Sequence, residues 1–301
     1  MIMIKLANAP CSWGVLEFDL KGKVAPYSQV LEEMRVTGYQ GTELGDWGFL
    51  PTQPDNLSQN LSKYELDLIG AFLPVNLKDI NTHVKGLSYA LKVAGLMYYA
   101  GYEHAKIILA DDNGSIEARV KNAGNITSAM GLDPNAWEIF AQGANQIAYA
   151  VKEAYGLQTV FHHHCAGYVE TPDEIHKFLE NTDKQLLGLC LDTGHYYYGG
   201  GNPVEALAKY RDRIWHIHLK DFDTKLAKKA RSNQWDYFTS VKNGIFCKLG
   251  EGAVNFKRII NELKESSYSG WAVVEQDVLP GMGNPKECAK SNREYLKGLG
   301  L

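Results

Sequence analysis

Five cysteines occur in 301 residues, Cys11, Cys165, Cys190, Cys247 and Cys288, and no two of them form a CxxC pair. An odd, scattered set excludes a disulfide framework and reads as reduced thiols with no catalytic context. A chain this long builds its core without disulfides or structural metal. No apolar run approaches the length of a membrane span. The opening MIMIKLANAPCSWG, interrupted by Lys5, is too short for a secretory signal. A soluble, cytoplasmic protein with no membrane partner is expected. Basic excess is also missing. Lys and Arg total 31 against 35 Asp and Glu, a net charge of −4, so no basic stripe is available to displace counterions from nucleic acid. Several signatures are absent too: no strand–GxGxxG–helix, no P-loop lysine, no GxSxG elbow, no HExxH helix. Gly199, Gly200 and Gly201 lie together outside any such context and read as a flexible loop.

What the chain does have is an alternation of short apolar runs and longer helical patterns. Strands are expected at 4–10 (IKLANAP), 39–44, 66–75, 104–110, 158–163, 186–192, 213–219 and 270–276. Helices are expected at 26–37, 83–101, 135–156, from Pro172, near 203–210, at 256–268 and after Pro285. Thr171 with Glu174 has capping-box spacing at the helix that begins at Pro172. Eight strands alternating with helices fit one α/β domain over 1–301, a (β/α)8 TIM barrel, although the rhythm alone also suits an open doubly wound sheet. Residues 221–254 are too long for an ordinary βα loop and are expected to form a lid-like insertion over the barrel mouth.

Histidine is unevenly distributed: seven of nine lie between His162 and His218. Chemistry-bearing residues also gather at strand C-termini. Glu43 ends the second strand, His162, His163 and His164 the fifth, and Asp192 the sixth, with His195 three residues on. His216 and His218 end the seventh, followed by Lys220 and Asp221, and Glu275 ends the eighth. In a barrel these ends converge on one mouth, where catalytic groups sit. Carboxylates mixed with imidazoles suit a borderline divalent cation, Mn²⁺, Co²⁺, Fe²⁺ or Zn²⁺. By strand alternation His216 and His218 share a side, as do His162 and His164, opposite His163. Glu43 has the alternative of bonding only to neighbouring loops, and Lys220 with Asp221 of being a solvated pair. Trp13 and Trp47 are either barrel-top core or walls that stack on a sugar-like ring.

DTGH (192–195), WHIHLKD (215–221) and the glutamate of GWAVVEQD (270–277) resemble the xylose isomerase-like TIM-barrel superfamily. That group holds sugar isomerases, ketose 3-epimerases and endonuclease IV. The resemblance is closer to the inosose dehydratase (2-keto-myo-inositol dehydratase) family of inositol catabolism. It is carried by NAPCSWGVLEF (8–18), GYQGTELGDWGF (38–49), FHHHCAGYVETPDEI (161–175), LDTGHYYYGGG (191–201) and GIFCKLGEGAVNF (244–256). It implies a divalent metal, Mn²⁺ or Co²⁺ first, held by Asp192, His218 and Glu275. Relatives take a fourth ligand from a strand-five glutamate; here His164 is the expected replacement, with His163 or Glu170 as alternatives. Glu170, His162, Trp13 and Trp47 are expected against substrate.

The implied reaction is a hydro-lyase step on 2-keto-myo-inositol, with a base taking the proton α to the ketone and an acid protonating the departing hydroxyl. Glu43 and Glu275 are the base candidates, and His195 and Lys220 the groups that donate a proton or bind the ketone oxygen. A sugar isomerase or epimerase would use the same ligands without losing water. An endonuclease IV-like phosphodiesterase would need a basic DNA face, and a sugar-binding protein would not need the ligand set. No arginine stands at the strand ends, so an unphosphorylated cyclic ketone is the expected substrate. A homo-oligomer remains open.

Overall fold

A computed structural model describes residues 4–15 and 25–301; Leu16, Glu17 and Phe18, the tail of the first resemblance segment, lie outside them. Eight parallel strands close into a barrel: β1 (Ile4–Asn8), β2 (Gly41–Glu43), β3 (Asp67–Val75), β4 (Lys106–Asp111), β5 (Gln158–His162), β6 (Leu187–Asp192), β7 (Ile214–Leu219) and β8 (Gly270–Val274), with β8 returning to β1. The strands are wrapped by α1 (Tyr27–Val36), α2 (Pro54–Lys63), α3 (Ile80–Tyr99), α4 (Pro134–Tyr155), α5 (Pro172–Glu180), α6 (Pro203–Lys209), α7 (Phe256–Glu265) and α8 (Pro285–Gly298). The open-sheet alternative falls. Among the described residues, no helix is long and apolar enough to cross a membrane.

Local signals explain most boundaries. Gly156 takes the left-handed conformation (φ 71°) that stops α4. The Thr171–Glu174 capping box opens α5 as its spacing predicts. α7 buries Phe256, Ile259, Ile260 and Leu263 on one stripe, each contributing about 1.5–3 kcal/mol of transfer free energy. α2 is not expected from the sequence pattern, because only Leu57 and Leu61 mark its inner face. The first strand stops at Asn8, and Pro10–Trp13 turns as a 3₁₀ helix instead of extending to Pro10.

Most of the core lies between barrel and helices. The barrel floor is closed by Trp271, whose ring lies so close to Gly41 that an added Cβ would come within 2.9 Å of it. Residues 221–254 leave the barrel after β7. Asp221–Phe222 pairs antiparallel with Phe246–Cys247, framing helices Thr224–Ser232 and Tyr237–Lys242. Asp221 is no solvated partner of Lys220. Fully buried, its carboxylate accepts the backbone N–H groups of Phe222, Gly250, Gly252 and Val254 at 2.8–3.0 Å. A side chain on Gly252 would overlap that carboxylate.

Candidate active site

Register sets the site. His162 pairs with Cys190 across β5 and β6, Asp192 with His218 across β6 and β7, and Val273 of β8 with His218. Alternation then carries Glu275, two residues beyond Val273, to the same inner face at the mouth. His162, Asp192, His218 and Glu275 are all buried, and their donor atoms lie within 4.8 Å of one another.

The spacings are those of a ligand set rather than a hydrogen-bond network. His162 Nε2 is 3.7 Å and His218 Nδ1 3.8 Å from Asp192 Oδ2, while His218 Nδ1 is 3.3 Å from Glu275 Oε1. Two donors bonded at about 2.1 Å to one tetrahedral cation stand about 3.4 Å apart. Asp192 Oδ2 and His218 Nδ1 are buried with no hydrogen-bond partner, a costly state unless something else satisfies them. Two carboxylates and two imidazoles facing one point fit a divalent cation of the borderline class.

Glu43 completes this arrangement from across the barrel. Its Oε1 accepts from His216 Nε2 and from His218 Nε2, each at 2.9 Å. That bond puts the proton of His218 on Nε2 and leaves the Nδ1 lone pair facing Asp192 and Glu275, the carboxylate–histidine arrangement that orients metal ligands. Burial raises the Glu43 acid, but the charge of His218 and both imidazole hydrogen bonds outweigh it and hold Glu43 at about 2. Without a metal, burial is outweighed by Cys190, Glu275 and Glu43, which hold His218 well above the ordinary histidine range, so a cation would bind there by displacing the Nδ1 proton.

Lys220, the residue after β7, is buried with its Nζ 3.1 Å from Glu275 Oε2 and 3.2 Å from Asp277 Oδ2. Burial disfavours the ammonium, yet Asp277 and Glu275 keep the pKa of Lys220 well above the ordinary value. Phe246 of the insertion lies under the ammonium, 4.7 Å from Nζ to ring centre. A cavity opens here, and Glu43, Asp46, His162, His164, Lys220, Glu275 and Asp277 supply its charged and imidazole groups.

The expected residues divide. Glu43, His162, Asp192, His218, Lys220 and Glu275 are brought together. His164 is not in the four-donor group: β5 ends at His162, so alternation no longer governs His164. Its Nδ1 lies 2.8 Å from Asn113 Nδ2, and its ring packs 4.0 Å from that of His195. The strand-five member of the four-donor group is His162, expected above against substrate; His163 instead takes the backbone N–H of Asp192 on its Nε2, 3.1 Å away. His195 is fully buried, its Nδ1 accepting from Cys165 N at 3.3 Å, and does not line the cavity.

Three substrate-contact expectations are corrected. Trp13 is buried beside α1, its indole donating to Glu33 at 2.7 Å. Trp47 packs edge-on against Tyr89 of α3 with Lys92 over its face. Glu170 is buried and accepts from Gly124 N and Ala166 N at 2.6 and 2.8 Å, tying two loops together. None of the three lines the cavity. Sequence reasoning missed Asp277, although its place two residues beyond Glu275 was a usable signal. It also missed Asn113 and Tyr237, which reach the cavity from loop and insertion without any periodic pattern.

The family described as xylose isomerase-like TIM barrel matches residues 31–299. An inosose dehydratase of Geobacillus kaustophilus (strain HTA426) is 33% identical over 297 residues, 98% of this chain and 94% of the relative. One from Lacticaseibacillus casei (strain BL23) is 30% identical, covering 98% and 96%. Among solved structures, the IOLI protein with a binding zinc atom superposes with a TM-score of 0.71 at 15% identity over 98% of each chain. The probable 3-DHS dehydratase AsbF from Bacillus anthracis gives 0.70 at 16% identity, over 98% of this chain and 99% of that one. At such identities the structural likeness speaks for the fold; the nearly full-length sequence matches carry further, and the chain belongs to the xylose isomerase-like TIM-barrel family, among the inosose dehydratases.

Proposed function

We propose that this chain is a divalent-metal-dependent hydro-lyase that removes water from 2-keto-myo-inositol (scyllo-inosose), giving a trihydroxycyclohexane-1,2-dione. The observation that carries the reading is the 33% identity to an inosose dehydratase across 98% of the chain. The buried four-donor set supports it. His162, Asp192, His218 and Glu275 are the proposed ligands. A bound divalent cation, Mn²⁺ or Co²⁺ in this reading with Fe²⁺ and Zn²⁺ suited to the same donors, supplies Lewis-acid stabilisation of charge on the substrate oxygen.

The chain's own groups supply the rest. Lys220, held as an ammonium by Asp277 and Glu275, is the proton donor to the departing hydroxyl. Glu43, held at about 2 and engaged by two imidazoles, is poorly matched to take a proton from carbon. We assign it to orienting His218. Burial raises the Asp277 acid, and Asp277 lines the cavity outside the proposed ligand set, which suits it better to accept the α-proton. Insertion 221–254 is the proposed cover: Tyr237 lines the cavity and Phe246 backs Lys220, keeping bulk water from the reacting carbons.

The test is to incubate metal-loaded protein with inosose and follow the product by ultraviolet absorbance and mass. Loss of one water is expected, stopped by a chelator and restored by Mn²⁺ or Co²⁺. Unchanged mass would assign an isomerase or epimerase. Inertness toward inosose with turnover of a phosphorylated sugar would overturn the substrate class.

A further inference from the structure

Among the described residues, six large hydrophobic side chains are exposed, and five of them, Ile80, Val84, Tyr98, Tyr99 and Tyr149, lie on the neighbouring helices α3 and α4. Val84 is 77%, Tyr99 68% and Tyr149 55% exposed. Scattered single apolar residues need no explanation, whereas a concentration on one face marks an interaction surface. Ile80, Val84, Leu87, Leu91 and Tyr98 recur at helical spacing along α3. The two helices are tightly seated. A side chain at Gly143 of α4 would overlap His83 of α3, and one at Gly95 of α3 would come within 2.9 Å of the Tyr155 hydroxyl. The face is therefore a firm two-helix platform on the barrel wall, and none of its exposed apolar residues lines the cavity.

We infer that this α3–α4 face is the contact between two copies of this chain, related by a twofold axis parallel to the helices. Area and charge argue for a second copy. Twenty residues of α3 span about 30 Å, and two adjacent helices about 20 Å. The face thus offers roughly 600 Å² per copy and roughly 1,200 Å² in a pair, the lower bound for a specific interface. Exposed charges of opposite sign stand on the two helices: Lys85 on α3, Glu138 and Glu153 on α4, while Lys92 is engaged over the Trp47 ring. Lys152 is turned away, donating to Gln185 O. The proposed twofold lays α3 of one copy over α4 of the other, so each lysine margin meets a glutamate margin. An axis across the helices would set lysine against lysine. Such self-complementarity is what an isologous contact requires.

Sedimentation equilibrium of the metal-loaded full chain at tens of micromolar tests the inference, independently of which reaction the mouth performs. A mass twice the chain's 33.6 kDa is expected. Val84→Glu with Tyr149→Glu should halve it while turnover and melting temperature stay at the wild-type values, since both side chains are exposed and neither lines the cavity. Lys85→Glu should weaken association at least tenfold, and adding Glu138→Lys should restore it. A monomeric wild type, which would leave the face to some other partner, overturns the inference. So does a dimer that survives Val84→Glu with Tyr149→Glu, or a charge swap that restores nothing.

Discussion

His218 touches Glu43 through one ring nitrogen and turns the other to Asp192 and Glu275, so its chemistry is set by a residue on the opposite strand. His218→Ala is expected to abolish stoichiometric metal binding, measured by elemental analysis, with the circular dichroism of the fold retained. His162→Ala should weaken binding strongly, whereas His164→Ala should leave metal content at the wild-type level; the reverse result would return the strand-five position to His164. Glu43→Gln should cost 10–100-fold in metal affinity, as outer-shell partners do, while the metal stoichiometry at saturation is unchanged. Strand-end carboxylates and histidines point to this mouth from the sequence alone, because a period of two fixes which side chains face inward. That same rule fails at His164, two residues past the end of regular pairing. It is silent about Trp13, Trp47 and Glu170, whose positions follow from helix contacts and loop hydrogen bonds that leave no spacing in the chain.

At the scale of elements, the insertion depends on one carboxylate. Asp221 satisfies four backbone N–H groups, two of them on the buried residues Phe222 and Val254, and each buried donor left unpaired costs about 1–3 kcal/mol. Asp221→Ala should destabilise the insertion by several kcal/mol, read as cleavage within 221–254 under limited proteolysis while the barrel fragments persist. Gly252→Ala should act in the same direction by displacing the carboxylate. Equal protease resistance in both variants would deny Asp221 this role. The length of 221–254 is legible in the sequence as an anomaly. Its internal helices and the clasp are not, because a single aspartate after a strand carries no pattern of its own.

Across the whole molecule, buried histidines contribute a stability that is lost in mild acid. Burial is the largest cause holding His162, His163 and His164 at about 3 and His195 well below the ordinary range. These four lend stability that is present above the unfolded histidine value of about 6.5 and is lost as the pH falls. Asp111 and Glu170, raised by burial to about 6 and about 7, act oppositely: their stability is full below about 4 and is lost as the pH rises through those values. Burial lowers His216 in the same sense as the four histidines and raises Asp192, Asp277, Asp221 and Asp46 in the opposite sense, so the histidine share is isolated by comparing variants in metal-free protein. Between pH 7 and 5, urea unfolding should show a smaller loss of stability in His163→Gln than in the wild type. An unchanged loss in His163→Gln would mean that this imidazole takes up its proton in the folded state. The clasp at the base of the insertion has a further bearing on how such barrels diversify. Asp221 Oδ1 lies 3.0 Å from Val254 N, so the cassette enters and leaves at practically one point. A segment anchored in this way is a natural graft site: its contents can be shortened, exchanged or permuted without asking the eight strands to move, and substrate preference can change while the barrel stays the same.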